Sequence, residues 1–132
     1  ETELQKRLQS KSKFSAVYIK QELADLMNKC LGITRREEKL RDGIESIDYY
    51  LSISDKLKFD SEISPYQGYS LKNMLLLSKA ILLSANERKE TRGAHIREDY
   101  PEKKKEFECA SYAEYKNGTI NIAFQKEESH AC

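Results

Sequence analysis

Between Asn73 and Asn86 the chain carries a single charge, Lys79. Leu71, Met74, Leu75, Leu77, Ile81, Leu82, Leu83 and Ala85 fall around most of a helical circumference. A helix that is apolar on most faces must be buried on most faces. Two or more further elements, or a partner, have to cover it. Residues 70–92 are therefore expected to form a helix at the centre of a bundle, or one that buries a bare side elsewhere, with Gly93 ending it. Ser64-Pro65 offers an earlier start, because proline suits the first helical position.

Two amphipathic segments precede it and can supply the cover. Over residues 12–31, Ala16, Ile19, Leu23, Leu26 and Cys30 recur at helical spacing, and Val17, Ala24, Met27 and Leu31 widen the stripe. Ser12 is the expected N-cap, and Gly32 stands where a left-handed residue would close the helix. Over residues 34–58, Leu40, Ile44, Ile47 and Leu51 form a heptad-like seam. Thr34-Arg35-Arg36-Glu37 has the form of a capping box. Gly43 inside this helix costs about 1 kcal/mol relative to alanine, which close approach of a neighbouring helix would explain. Residues 1–11, with only Leu4 and Leu8 as apolar anchors, admit two readings, a preceding helix or a frayed extension.

The C-terminal quarter differs in kind. Residues 94–108 mix charges around Pro101 and read as irregular. Ser111–Lys116 and Thr119–Phe124 are β-prone and flank Asn117-Gly118, the strongest short hairpin signal. The expected architecture is all-α: an up-and-down three-helix bundle of spectrin-repeat-like type over residues 1–108. Residues 109–132 would be an irregular tail able to form a hairpin.

Composition excludes several functions. The 132 residues hold 23 Lys and Arg against 22 Asp and Glu, a net charge of +1, which argues against a dedicated nucleic-acid or polybasic membrane binder. Five scattered glycines provide no phosphate cradle, and two histidines and three unclustered cysteines make no metal site. No apolar run approaches the roughly 20 residues of a membrane span. The cysteine pattern suggests reduced thiols and a cytoplasmic setting. No catalytic, cofactor-binding or metal-binding residue is assigned. The chain begins at Glu1 rather than Met, as a segment of a longer polypeptide would.

One segment concentrates chemistry: Arg88, Glu90, Arg92, Gly93, His95, Arg97, Asp99 and Tyr100, just beyond the apolar helix. Basic groups there suit the negative end of a helix, and a guanidinium can pair bidentately with a carboxylate. The cluster admits two readings, an anion or carboxylate site and a salt-bridge network fixing how the chain leaves the helix.

Residues 88–101, Arg-Lys-Glu-Thr-Arg-Gly-Ala-His-Ile-Arg-Glu-Asp-Tyr-Pro, resemble the R-x-E-S-R-G-A-H-x-R-x-D-Y-P stretch near the C-terminus of succinate dehydrogenase/fumarate reductase flavoprotein subunits. Thr91 replaces the usual serine. Leu71-Lys72-Asn73-Met74-Leu75-Leu76 resembles the segment opening the same helix of that family. Leu31-Gly32-Ile33-Thr34-Arg35 resembles its short turn between the first two helices. Order and spacing agree over about residues 12–108.

The resemblance implies a three-helix C-terminal domain of an FAD-dependent enzyme interconverting succinate and fumarate. It implies that the substrate-binding and flavin-linking residues lie in preceding FAD-binding and capping domains, against which this one packs. The motif residues then have a structural or domain-interface role, and the isolated segment is inactive. An iron–sulfur subunit is an implied partner, as is a position at the cytoplasmic face of the membrane through partner subunits. L-aspartate oxidase shares the architecture and an E-S-R-G-x-H segment. The Arg-Glu-Asp-Tyr-Pro continuation leans toward the succinate/fumarate branch. The other class of function is a free-standing helical interaction module, suggested by the over-apolar third helix.

Overall fold

The computed structural model describes residues 2–9, 11, 13–59 and 64–125. Its elements are α1 (Glu3–Leu8), α2 (Ala16–Cys30), α3 (Glu37–Ser54), α4 (Pro65–Glu87), a 3-10 turn at Lys105–Phe107, β1 (Ala110–Lys116) and β2 (Thr119–Gln125). The all-α expectation is thus overturned. Among the described residues there are four α-helices and a two-stranded antiparallel sheet. Asn117 and Gly118 both take positive φ, 52° and 80°, which the tight hairpin turn requires. The strands pair in register from Lys116–Thr119 to Ala110–Gln125.

A lone hairpin is marginal in water, and this one is held from the bundle. The Arg88 guanidinium donates to the Phe107 and Cys109 carbonyls at 2.7 and 2.8 Å. It also lies over the rings of Phe107 and Phe124, which meet edge to face at 5.0 Å. At its other end the hairpin closes a small cavity with α3 and α4, between Tyr115, Ile120, Leu51 and Leu76.

α2, α3 and α4 form the expected bundle. Lys72 pairs with Asp55, and Lys79 with Asp48, about two turns away along each helix, so α3 and α4 run antiparallel. Ile19, Leu23, Leu40, Ile47, Leu71, Leu75 and Leu82 are buried in one cluster. A Cβ at Gly43 would stand 2.7 Å from Cys30 Sγ and 2.9 Å from Leu82 Cδ1. The glycine therefore lets α2, α3 and α4 approach closely at this point.

The helix ends depart from expectation in instructive ways. Ser15 caps α2, accepting from the Tyr18 amide; Ser12 lies outside the described residues. Gly32 is not left-handed: Leu31 closes α2 at φ −109°. Thr34 and Glu37 make no capping box, since α3 begins at Glu37 with Arg36 as N-cap and no side-chain cap from that residue. α4 begins at Pro65 with a Ser64–Gln67 capping box and ends at Glu87, so Gly93 turns a loop and ends no helix. α3 stops at Ser54, four residues early. Leu57, expected in the helix, and Phe59, just beyond it, lie outside α3 and are buried in the core. α1 is a fourth helix, the first of the two readings of residues 1–11. Its Arg7 side chain donates to the Ser54 and Leu57 carbonyls beyond the end of α3.

Candidate functional site

The loop after α4 folds into a compact knot of paired charges. Arg97 is fully buried. Its Nε and Nη2 each donate to one Asp99 carboxylate oxygen at 2.7 Å. Its Nη1 donates to the Ala85 and Asn86 carbonyls at 2.8 and 3.0 Å. The guanidinium therefore satisfies orphan carbonyls in the last turn of α4 and places its charge at the negative helix end. Tyr100 covers it, with Arg97 Cζ 4.9 Å from the ring centre.

Glu90 is also fully buried. It accepts from Arg88 Nη1 at 2.9 Å, Arg92 Nε at 2.8 Å, Arg92 Nη2 at 3.1 Å and the Lys104 amide at 2.8 Å. Burial alone would raise its pKa. The bonds from Arg92, the Lys104 amide and Arg88 override burial and hold the carboxyl at about 2. Asp99 is held at about 2 as well, first by Arg97, against the opposing effect of burial, and by the Glu37 amide. That amide donates to Asp99 Oδ2 at 2.8 Å. Asp99 thus caps α3 from 62 residues away while holding the arginine that closes α4.

The turn between α2 and α3 joins this knot. The Arg35 amide donates to the Ile96 carbonyl and the Glu98 amide to the Arg35 carbonyl, at 2.9 and 3.0 Å. Thr34 Oγ1 donates to Glu98, and Arg36 pairs with the same carboxylate. Arg35 Nη1 lies 2.7 Å from His95 Nδ1, and His95 Nε2 lies 2.9 Å from the Arg88 carbonyl. A guanidinium can only donate and a carbonyl can only accept, so Nδ1 accepts, Nε2 carries the proton and His95 is neutral. Burial pushes its pKa down, opposed by the Arg88 carbonyl and reinforced by the charges of Arg35, Arg97 and Arg88. Two separate sequence signatures, residues 31–35 and 88–101, are one structure in space. Gly93, at φ 58°, makes the turn that lets the Arg92 and His95 backbones bond each other.

The family model for "Fumarate reductase flavoprotein C-term" matches residues 20–131. The chain belongs to this family. Among curated relatives, an uncharacterized FAD-dependent oxidoreductase of Methanocaldococcus jannaschii is 38% identical over 66% of this chain and 16% of its own. An L-aspartate oxidase of Pyrococcus furiosus is 34% identical over 73% of this chain and 17% of its own. The succinate dehydrogenase flavoprotein subunit of Coxiella burnetii is 29% identical over 64% and 15%. The chain spans about a sixth of the length of these relatives. The Escherichia coli quinol fumarate reductase chain FrdA shares the fold, with a TM-score of 0.76 at 21% identity over 93% of this chain and 23% of that one. A chain of the Mycobacterium smegmatis Sdh1 complex gives 0.70 at 21% identity, over 93% and 22%.

All eight expected site residues of this C-terminal domain lie in or around the knot. Arg35, Glu98 and Thr91 were not among them. Thr91 Oγ1 accepts from the Arg97 amide at 2.9 Å and lies 3.0 Å from the Tyr100 carbonyl, to which it donates, so the hydroxyl shared by Thr and Ser is what the position uses. A cleft of about 240 Å³ opens beside Arg35, Ser84, Arg88, His95 and Ser111. The forks of Arg88, Arg92 and Arg97 point instead at carboxylates and carbonyls of the knot itself. Among the described residues no cluster of three or more His, Cys, Asp or Glu could hold a metal ion, and no helix is long and apolar enough to cross a membrane.

Proposed function

We propose that the chain is the C-terminal part of an FAD-dependent oxidoreductase acting on succinate or fumarate, and that its own residues perform no chemistry. Arg88, Glu90, Arg92, Gly93, His95, Arg97, Asp99 and Tyr100 lock the end of α4 to the start of α3, and thereby set the shape of the face offered to neighbouring domains. The observation that carries this reading is Arg97: Nε, Nη1 and Nη2 are all engaged by Asp99 and by the end of α4, leaving no fork for a substrate carboxylate.

The placement of the glycines supports assigning no flavin contact here. Gly43 and Gly68 are buried inside helices and Gly93 and Gly118 turn loops, so none lines a diphosphate cradle. On the outer side of α4, Met74, Leu77 and Ile81 are 39, 64 and 42% exposed. In this reading the stripe is the side of the over-apolar helix that buries against the FAD-binding and capping domains. An iron–sulfur subunit as a further partner, and a place at the cytoplasmic face of the membrane, belong to the same reading.

Mixing the isolated chain with FAD and following flavin absorbance tests the assignment. No stoichiometric binding is expected, and tight binding would overturn it. A second reading, L-aspartate oxidase, is favoured by the higher identity of the Pyrococcus enzymes than of the Coxiella subunit. Flavin reduction by succinate or by aspartate in the complete polypeptide separates the two.

A further inference from the structure

A groove of about 610 Å³ runs between α2 and α3, on a face that takes no part in the knot. One wall carries Phe14, just ahead of α2, and Tyr18 in it, stacked with ring centres 5.9 Å apart. Its α3 wall carries Tyr49 and Tyr50, tilted at 6.0 Å. Tyr18 and Tyr49 are about half exposed, at 48 and 51%. Two aromatic pairs facing each other across a groove present π surfaces whose negative faces attract cations.

Although Arg41 shares the adjoining cavity with them, the charges that line the groove are both acidic. Asp42 and Glu45 line it, and with Tyr49 they fall at i, i+3 and i+7 on one side of α3. On α2, Glu22 lies one turn beyond Tyr18. Among the described residues no Lys or Arg forms an ion pair with Glu22, Asp42 or Glu45, and no basic side chain lines the groove. Glu90, Glu98 and Asp99 are paired with arginines and Asp48 and Asp55 with lysines, whereas the groove carboxylates, like Asp25, Glu38 and Glu114 on the open surface, are in no ion pair among the described residues. The Tyr50 hydroxyl registers the local field. Its pKa is raised by burial, then by Glu22 and by the neighbouring Tyr18 and Tyr49.

We propose that this groove receives an arginine or lysine side chain, flanked by apolar residues, from a protein segment docking on the α2–α3 face. The alkyl stem of such a side chain would lie along the tyrosine rings and its cationic head would meet Asp42 and Glu45. Unmatched carboxylates beside exposed aromatic rings disfavour an acidic or purely aliphatic occupant and complement a basic one. The face is separate from the Met74–Leu77–Ile81 stripe, so the inference stands whichever substrate the complete enzyme uses.

The test titrates the 132-residue chain with a blocked Leu-Arg-Leu tripeptide amide and follows the tyrosine ring signals by NMR. Leu-Gln-Leu and Leu-Glu-Leu amides, and tetramethylammonium, serve as comparisons. Shifts confined to Tyr18, Tyr49 and Tyr50 are expected, with the arginine peptide binding about tenfold more tightly than the glutamine one. Added salt and the Asp42→Asn/Glu45→Gln double variant should both weaken it. Equal binding of the arginine and glutamine peptides would overturn the proposal, as would shifts centred elsewhere. So would binding of tetramethylammonium without the arginine peptide, which would mark a small-cation site instead. Tyr49→Leu keeps the apolar area and removes the ring. Its melting temperature should be unchanged while arginine-peptide binding falls, and unaltered binding would overturn the aromatic part.

Discussion

Arg7 and Arg97 sit at opposite ends of the antiparallel α3–α4 pair, and each closes the C-terminal end of one helix. Arg7 donates to the Ser54 and Leu57 carbonyls at the end of α3, and Arg97 to the Ala85 and Asn86 carbonyls at the end of α4. Their counter-ions differ. Arg97 has a bidentate carboxylate from its own loop, and Asp99 is in turn tied to the start of α3. Arg7 has Glu3 at 3.2 Å and Asp55 at 3.9 Å, both mostly exposed, and rests on the Phe59 ring. One end is a closed network in which each charge fixes the next. The other is a single cation laid across a helix end by a six-residue helix.

The sharpest way to break the comparison is to remove the buried arginine. Arg97→Ala leaves Asp99 and two helix-end carbonyls without their donor, and should cost about 3–5 kcal/mol in urea unfolding. A loss under about 1 kcal/mol would mean that the knot decorates a bundle that is stable without it. Arg97→Lys should recover only part of the loss, since an ammonium cannot reproduce the fork.

Acid should open the knot in a defined window. Glu90 and Asp99 have folded pKa values held near 2, below their ordinary values. Below about pH 4.5 the unfolded chain takes up protons that the folded chain refuses, so stability falls as pH drops from there toward 2. For Glu90 alone, a shift from 4.5 to about 2 corresponds to about 3 kcal/mol. Thermal melts across this range should therefore be steeper in pH for the wild type than for Glu90→Gln. Parallel curves would show that Glu90 is not the group being titrated.

The two ends also differ in how far the sequence discloses them. The α4 end announces itself: a helix with one charge in fourteen residues, then a dense run of Arg, Glu, His and Asp. The hairpin is equally open to view, because Asn117-Gly118 can do little else. What the sequence conceals is who caps whom. Thr34 and Glu37 have capping-box spacing, yet Thr34 bonds Glu98 and the Glu37 amide takes Asp99, because tertiary partners compete with local ones. The α3 end is nearly silent. Leu57 and Phe59 obey no helical period because they lie in extended chain alongside Phe14 and Arg7. Arg7 looks like any surface arginine, and Leu8, one of the two apolar anchors of α1, is 49% exposed.

Arg7→Ala tests whether that quiet end matters. It removes two charge-assisted bonds to buried carbonyls and the cover over Phe59, and should cost about 1–3 kcal/mol. The loss should appear first as faster amide exchange at the C-terminal turn of α3, with α4 unaffected. Uniform acceleration across the bundle would show that the two ends are not independent.

Asp55 offers the finest discrimination, with the smallest expected effect. It is 71% exposed and shared between Lys72 at 3.0 Å and Arg7 at 3.9 Å. Exposed pairs of this kind contribute little, because water screens them and two long side chains must be ordered. Asp55→Asn should therefore change stability by less than about 1 kcal/mol, and high salt should reduce the effect further. If it instead approached the cost of Arg7→Ala, Asp55 would be to Arg7 what Asp99 is to Arg97. The difference between the ends would then be one of exposure only. A small, salt-sensitive value means that Arg7 is held chiefly by the helix end, the Phe59 ring and Glu3, and not by Asp55.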